Sequence, residues 1–329
     1  MTMIPERIHL ANLPTRIEKL DRFSKQLGGP EIYIKRDDQT GSEIAGNKIR
    51  KLEFSLQEAL NRGCDSVITC GGIQSNHCRA TAAAAARLGL KCDVVLRGDE
   101  NTERDGNLLL DDLLGATIHF ITAEQYRNER QGIMEDIKKQ LMVEGYHPYI
   151  IPEGASNGIG AFGYYAAMEE ILAQEKQLGL SFDAIVVAVG SGGTYAGLFL
   201  AAKLLGLEKA IYGFNVCDDS EYFRRAISGI LEESKEYLDS SFTFSPDEIN
   251  IVDGYVGRGY AQGRPEERQM IRELATLEGV VLDPVYTGKA FYGLTEEIKN
   301  GRFQEHETIL FIHTGGLFGL FPQHGEFAG

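Results

Sequence analysis

The 329-residue chain carries 33 Lys and Arg against 48 Asp and Glu, a formal charge of −15 at pH 7, which argues against an electrostatically driven nucleic-acid partner and leaves any anion site a local one. With 43% apolar residues and 38 glycines it is long enough to bury one large core or two lobes. The start, Met1-Thr2-Met3-Ile4-Pro5-Glu6-Arg7, has no apolar signal core and no run of about 18 apolar residues follows, so no membrane partner and a cytoplasmic location are expected. Five cysteines form no CxxC pair and seven histidines no HxH or HxxxH pair, so neither a disulfide framework nor a metal site is indicated.

In chain order, a polar helix leads into a strand over Glu31 to Lys35, and a polar loop from Arg36 to Asn47 opens an amphipathic helix that closes at Arg62-Gly63. The apolar run Ser66 to Cys70 reads as a buried strand entering an alanine-rich helix from His77 to Leu88. Further strands are expected over Lys91 to Leu96, Ala116 to Ile121, Tyr149 to Ile151, Ala184 to Val189, Ile211 to Val216, Ile249 to Val252, Val280 to Leu282 and Ile309 to Ile312. Helices are expected over 105–114, 124–144, 160–178 and Tyr195 to Leu205. Short buried strands spaced by helices specify an α/β fold of doubly wound, mostly parallel sheets, in two lobes packed around a cleft.

In such sheets ligands bind beyond the carboxyl ends of the strands. The helix opening at Gly46-Asn47-Lys48 puts three cations, Lys48, Arg50 and Lys51, in a first turn whose dipole repels them, so an anion should answer them. Crowded cations also lower an amine's pKa and make it a nucleophile toward carbonyls. Four turns add chemistry. Gly190-Ser191-Gly192-Gly193-Thr194 suits a phosphate but lacks both the third glycine of a dinucleotide fingerprint and the GK[ST] of a P-loop. Gly71-Gly72-Ile73-Gln74-Ser75-Asn76 offers a plain helix cap or a carboxylate site. Asp283-Pro284-Val285-Tyr286-Thr287-Gly288-Lys289 brings a tyrosine to a strand end, and His313-Thr314-Gly315-Gly316 a neutral hydroxyl. His313 reads as a core histidine. Together these features describe a pyridoxal 5'-phosphate site acting on an amino acid.

The same motifs, in the same order and over nearly the whole chain, resemble the fold-type II pyridoxal-phosphate enzymes, and within them the D-cysteine desulfhydrase and 1-aminocyclopropane-1-carboxylate deaminase family. The resemblance implies a tryptophan synthase β-like fold, a homodimer, a large domain of residues 1–51 and 159–329, and a smaller inserted domain of residues 52–158. It implies that Lys48 bears the cofactor as a Schiff base and that Lys51 is a second cation near the phosphate. Gly190, Ser191, Gly192, Gly193 and Thr194 match the phosphate loop, and Asn76 the residue bonding the cofactor's ring hydroxyl. Ser75 matches the residue meeting the substrate carboxylate or serving as an alternative base, and Tyr286 and Tyr260 the tyrosines over the substrate.

Where the aminocyclopropane deaminases carry a glutamate facing the pyridine nitrogen, this chain has Thr287, with Thr314 as a second hydroxyl. A carboxylate keeps that nitrogen protonated and deepens the electron sink, whereas a hydroxyl does not. The expected reaction is therefore β-elimination on a small cysteine-like amino acid, foremost D-cysteine to pyruvate, ammonia and sulfide. Ala45 before Gly46 and the bulky Gly316-Leu317-Phe318-Gly319-Leu320 depart from the family pattern and keep cysteate open. Serine dehydration and aminocyclopropane deamination use the same cofactor and stay compatible with these residues, as does a non-catalytic metabolite-binding protein of the same two-lobed type.

Overall fold

A computed structural model describes residues 4–239 and 242–327, so Met1 to Met3 lie outside the described residues. The chain runs β1 (Ile17–Lys19), α1 (Asp21–Leu27), β2 (Glu31–Lys35), α2 (Asn47–Asn61), β3 (Ser66–Gly72), α3 (Asn76–Leu88), β4 (Lys91–Arg97), α4 (Gly106–Leu113) and β5 (Thr117–Ile121). It continues through α5 (Ala123–Asn128), α6 (Arg130–Val143), β6 (Pro148–Ile150), α7 (Gly158–Leu178), β7 (Ala184–Val189), α8 (Gly193–Leu205), β8 (Ala210–Asn215) and α9 (Ser220–Ser234). It ends with β9 (Asn250–Val252), α10 (Pro265–Glu278), α11 (Thr287–Lys299) and β10 (Thr308–Ile312).

Two sheets result. Six strands pair in the order β1-β2-β10-β7-β8-β9, and four in the order β5-β4-β3-β6. Every pairing is parallel except β1 with β2. All six residues of β7 are buried, and their alternation sorts them onto two helical layers. Ile185, Val187 and Val189 pack with α7, α8 and α9, whereas Ala184, Val186 and Ala188 pack with α1, α10 and α11. Each fully buried Val or Ile there contributes roughly 1.5–3 kcal/mol relative to exposure.

Helix α2 is carried between the sheets by a close crossing on α7. A Cβ at Gly163 would stand 2.5 Å from the Arg50 backbone, so glycine lets the two axes approach and fixes where Lys48 and Lys51 emerge. The crossing also answers one of the three cations internally. Arg50 is fully buried and donates to Asp37 at 2.8 and 2.9 Å and to Glu170 at 3.0 Å, with Lys35 reaching Glu170 from the other side.

Two expected elements differ. The helix over 124–144 is two helices, because Glu129 (φ −128°) breaks it so that Tyr126 turns inward while Met134 and Leu141 bury another face. Val280 to Leu282 is no strand, although Val280 and Leu282 are buried and Val281 is exposed as alternation demands. Strand β10 already has β2 and β7 as neighbours, so no edge is open there, and the Val281 carbonyl accepts instead from His313 Nε2 at 3.0 Å. Among the described residues no helix is long and apolar enough to cross a membrane.

Candidate active site

The carboxyl ends of both sheets face one cavity of about 670 Å³, walled by residues of α2, α3, the loop after β7, the loop after β9 and the ends of α11 and β10. Lys48, Ser75, Asn76, Gly190, Ser191, Gly192, Thr194, Tyr260, Tyr286 and Thr314 all line it. Lys51, Gly193 and Thr287 stand behind the wall.

Lys48 reaches the cavity from the first turn of α2, its Nζ 3.0 Å from Asn47 Oδ1 and 5.7 Å from the Tyr286 ring centre. Burial, reinforced by Arg79, holds its ammonium down to about 8 against the pull of Asp283 and Glu153. Lys51 is buried one turn on, and burial together with Lys48 holds it well below the ordinary lysine value. Among the described residues neither lysine makes an ion pair. Two cations desolvated together with no carboxylate in contact with either form a site built for an anion brought by a ligand.

The loop before α8 supplies the rest of that site. Ser156 Oγ lies 3.2 Å from Lys51 Nζ, 2.8 Å from Ser191 Oγ and 3.2 Å from the Gly193 amide, tying the lysine to the start of α8. A Cβ at Gly193 would come within 2.6 Å of Ser156 Oγ, so only glycine admits this contact. Thr194 Oγ1 accepts from Asn47 Nδ2 at 2.9 Å, locking the loop to the lysine helix. Free amides at a helix start, two serine hydroxyls and an uncompensated lysine fit a phosphate.

Opposite, Ser75 caps α3 by accepting from the Cys78 amide at 3.2 Å, so the cap reading holds, and the same side chain lines the cavity. Asn76 is held by Asn107, whose amide donates to Asn76 Oδ1 at 3.0 Å, and Asn107 is held in turn by buried Arg79 at 3.0 Å. Asn76 lines the cavity, and its amide nitrogen has no hydrogen-bond partner among the described residues. Tyr260 and Tyr286 share a hydroxyl contact of 2.5 Å, and burial pushes the first up to about 12 and the second well above its ordinary value.

The two threonines part company here. Thr287 is fully buried and commits its hydroxyl to Asp283 Oδ1 at 2.6 Å, whereas Thr314 lines the cavity with a hydroxyl that has no protein partner among the described residues. Asp283 also accepts from the amides of Val285, Tyr286 and Thr287 at 2.8–2.9 Å and so sets the Tyr286 turn. His313 is a buried core residue between Val281 O and the Gly315 amide. Ser156, Asn107 and Arg79 are positioning residues outside every motif, whereas Asn47 and Asp283 lie inside motifs that gave no hint of their positioning roles.

A lysine able to lose its proton near neutrality, beside a phosphate cradle, is what pyridoxal phosphate requires of a protein. The model for the pyridoxal-phosphate dependent enzyme family matches residues 8–315. The chain belongs to this family. The enzyme is 44% identical to the bifunctional D-cysteine desulfhydrase/1-aminocyclopropane-1-carboxylate deaminase, mitochondrial, of Arabidopsis thaliana, over 97% of this chain and 80% of that one. It is 40% identical to the D-cysteine desulfhydrase of Yersinia enterocolitica, over 97% of this chain and 96% of that one. A crystal structure described as an ACC deaminase homologue superposes with a TM-score of 0.89 at 40% identity, covering 98% of this chain and 95% of that one. Pyridoxal phosphate is therefore this enzyme's cofactor, and its fold is that of fold-type II enzymes.

The Lys48 environment gives a testable pH dependence. Only the neutral amine adds to the cofactor's aldehyde, and Lys48 is neutral above about 8. Cofactor uptake by the stripped protein, followed by visible absorption after mixing, is expected to quicken about tenfold per pH unit up to pH 8 and to level off above it. An ordinary lysine would still be accelerating at pH 9.

Proposed function

We propose that this enzyme is a carbon–sulfur lyase that converts D-cysteine and water to pyruvate, ammonia and hydrogen sulfide by β-elimination, with residues 52–158 forming the inserted lobe that carries the substrate's carboxylate site. The observation that carries the reading is the neutral Thr314 hydroxyl on the cavity wall, with buried Thr287 behind it in place of a carboxylate. Among the described residues the only acids lining the cavity are Glu153 and Asp218. A ring nitrogen that meets a hydroxyl stays the shallower electron sink, sufficient for expelling a good leaving group from Cβ.

Bound pyridoxal phosphate supplies that sink for the electron pair left when the substrate loses its α-proton. The protein does the rest. Lys51, Ser191 and the amides at the start of α8 would hold the phosphate, and Asn76 would orient the ring. The start of α3, with Ser75, takes the substrate carboxylate on unpaired N–H groups. Lys48 Nζ, already inclined to be neutral, would be the cofactor's attachment point and would accept the α-proton. Tyr286, its ring centre 5.7 Å from Lys48 Nζ, and its hydroxyl partner Tyr260 are kept protonated by burial and would donate toward the departing sulfur.

The test is turnover of the holoenzyme on D-cysteine, L-cysteate, D-serine and 1-aminocyclopropane-1-carboxylate side by side, with the visible spectrum recorded throughout. Sulfide from D-cysteine at a kcat/KM at least tenfold above the others is expected. Ammonia chiefly from the cyclopropane would overturn the reading.

A further inference from the structure

We propose that Arg97 is the receptor for the sulfur leaving group, so that the cavity is specific for amino acids whose Cβ bears a sulfur substituent departing as an anion. This rests on the reading of the cavity as the site of a β-elimination and adds to it the residue that selects what leaves.

Arg97 ends β4, in register with Gly72 at the end of β3, and its guanidinium lines the cavity. It lies 5.3 Å from the Tyr126 ring centre and 5.4 Å from that of Tyr260, so two aromatic faces fix its position. Among the described residues it has no ion pair and no side-chain hydrogen bond. Its donors are therefore free. A guanidinium carries five of them in a planar fork suited to an oxyanion or a sulfur anion. Arg127 and Arg130 also line the cavity, and the latter is already engaged by Glu153 at 3.9 Å.

Position ties this free cation to the chemistry. A Cβ at Gly72 would stand 3.6 Å from Arg97 Nη2 and 3.8 Å from Tyr260. The Gly72 carbonyl accepts from the Ser75 amide at 2.9 Å, closing one tight turn between Arg97's neighbour and the start of α3 where the substrate carboxylate is held. Such a turn spans less than about 7 Å between its end Cα atoms. A three-carbon amino acid anchored by its carboxylate at Ser75 thus points its Cβ substituent toward Arg97, with the tyrosine pair beside it.

In the elimination the Cα–H proton goes to Lys48 Nζ and the Cβ–S bond breaks with both electrons on sulfur. A thiol leaves as hydrosulfide and a sulfonate as sulfite, while Cα and Cβ become doubly bonded. Charge grows on sulfur in either case, and a guanidinium there stabilises the transition state more than the ground state. Chloride is a far weaker base and draws less from the same contact.

The experiment compares wild type, Arg97→Met and Arg97→Lys as holoenzymes. For D-cysteine and L-cysteate, each relative to β-chloroalanine of the same configuration, the kcat/KM ratio is expected to fall at least tenfold in Arg97→Met and to recover in part in Arg97→Lys. Whichever sulfur substrate wild type consumes identifies thiol or sulfonate as the source. In parallel, calorimetry with 3-sulfopropanoate, which has no amine and cannot react, is expected to show binding at least tenfold tighter than propanoate in wild type and no such preference in Arg97→Met. An unchanged ratio together with an unchanged 3-sulfopropanoate affinity would overturn the assignment. If wild type releases sulfur from neither substrate the elimination reading fails, and the calorimetry still decides whether Arg97 is an anion receptor.

Discussion

Replacing Lys48 by Ala is expected to abolish the visible absorption of covalently held cofactor and to lower turnover by about 10³-fold or more, because one side chain serves as attachment point and proton acceptor. The fold should survive. Lys48 makes one side-chain hydrogen bond, to Asn47 at 3.0 Å, so its removal leaves the crossing of α2 on α7 intact. Far-ultraviolet circular dichroism and the urea midpoint are therefore expected to match wild type while absorbance and activity vanish. Retained turnover would show that a different amine does the chemistry. Lys51→Met makes the comparison sharper. It should leave the covalent attachment possible but weaken cofactor retention, since Lys51 faces the phosphate loop through Ser156 and not the reacting atoms.

Asp37→Asn is expected to cost about 3 kcal/mol of stability with the cavity residues untouched. Asp37 is fully buried and accepts from Arg50 at 2.8 and 2.9 Å, from Tyr164 at 2.6 Å and from Thr15 at 2.7 Å. The amide keeps the shape but removes the charge, leaving buried Arg50 and Lys35 with Glu170 alone. Burial by itself would push the Asp37 carboxyl up, yet Arg50 first and then Lys35 hold it below its ordinary value. Its contribution is therefore fully present above about pH 4, the ordinary carboxyl value, and is lost as pH falls through the lower folded value. Urea titrations of both proteins should show the wild-type advantage at pH 7 shrinking below about pH 4. A gap that persisted into strong acid would place the loss in packing and not in charge.

Motif and periodicity in the sequence were enough to indicate the cofactor chemistry, since its carriers are local. Lys48 opens a helix, Gly190 to Thr194 form one turn, and Ser75 and Asn76 begin another helix; each is read from its immediate neighbours. The buried strands around them were equally legible, because β7 and the 309–312 run of β10 are apolar and such runs have few other solutions. Helices α9, α10 and α11 were not legible in the same way even though their starts are marked, by Asp219 accepting from Tyr222, by Pro265 and by the Asp283 turn. Their apolar stripes are interleaved with charges, and of the three only α11 follows a turn marked for chemistry, the one carrying Tyr286.

What the tertiary structure alone decided is which of equivalent residues does what. Sequence places Lys48, Arg50 and Lys51 alike at a helix start, but the crossing of α2 on α7 turns Arg50 to Asp37 and leaves the two lysines to the ligand. Two threonines look interchangeable until Asp283 claims the hydroxyl of one and β10 delivers the other to the cavity. Ser156, Asn107 and Arg97 lie far from the motifs along the chain and enter the site only because the two sheets direct their carboxyl ends at one another. Side-chain direction and pairing across a hundred residues are set by packing, which no local window of sequence contains.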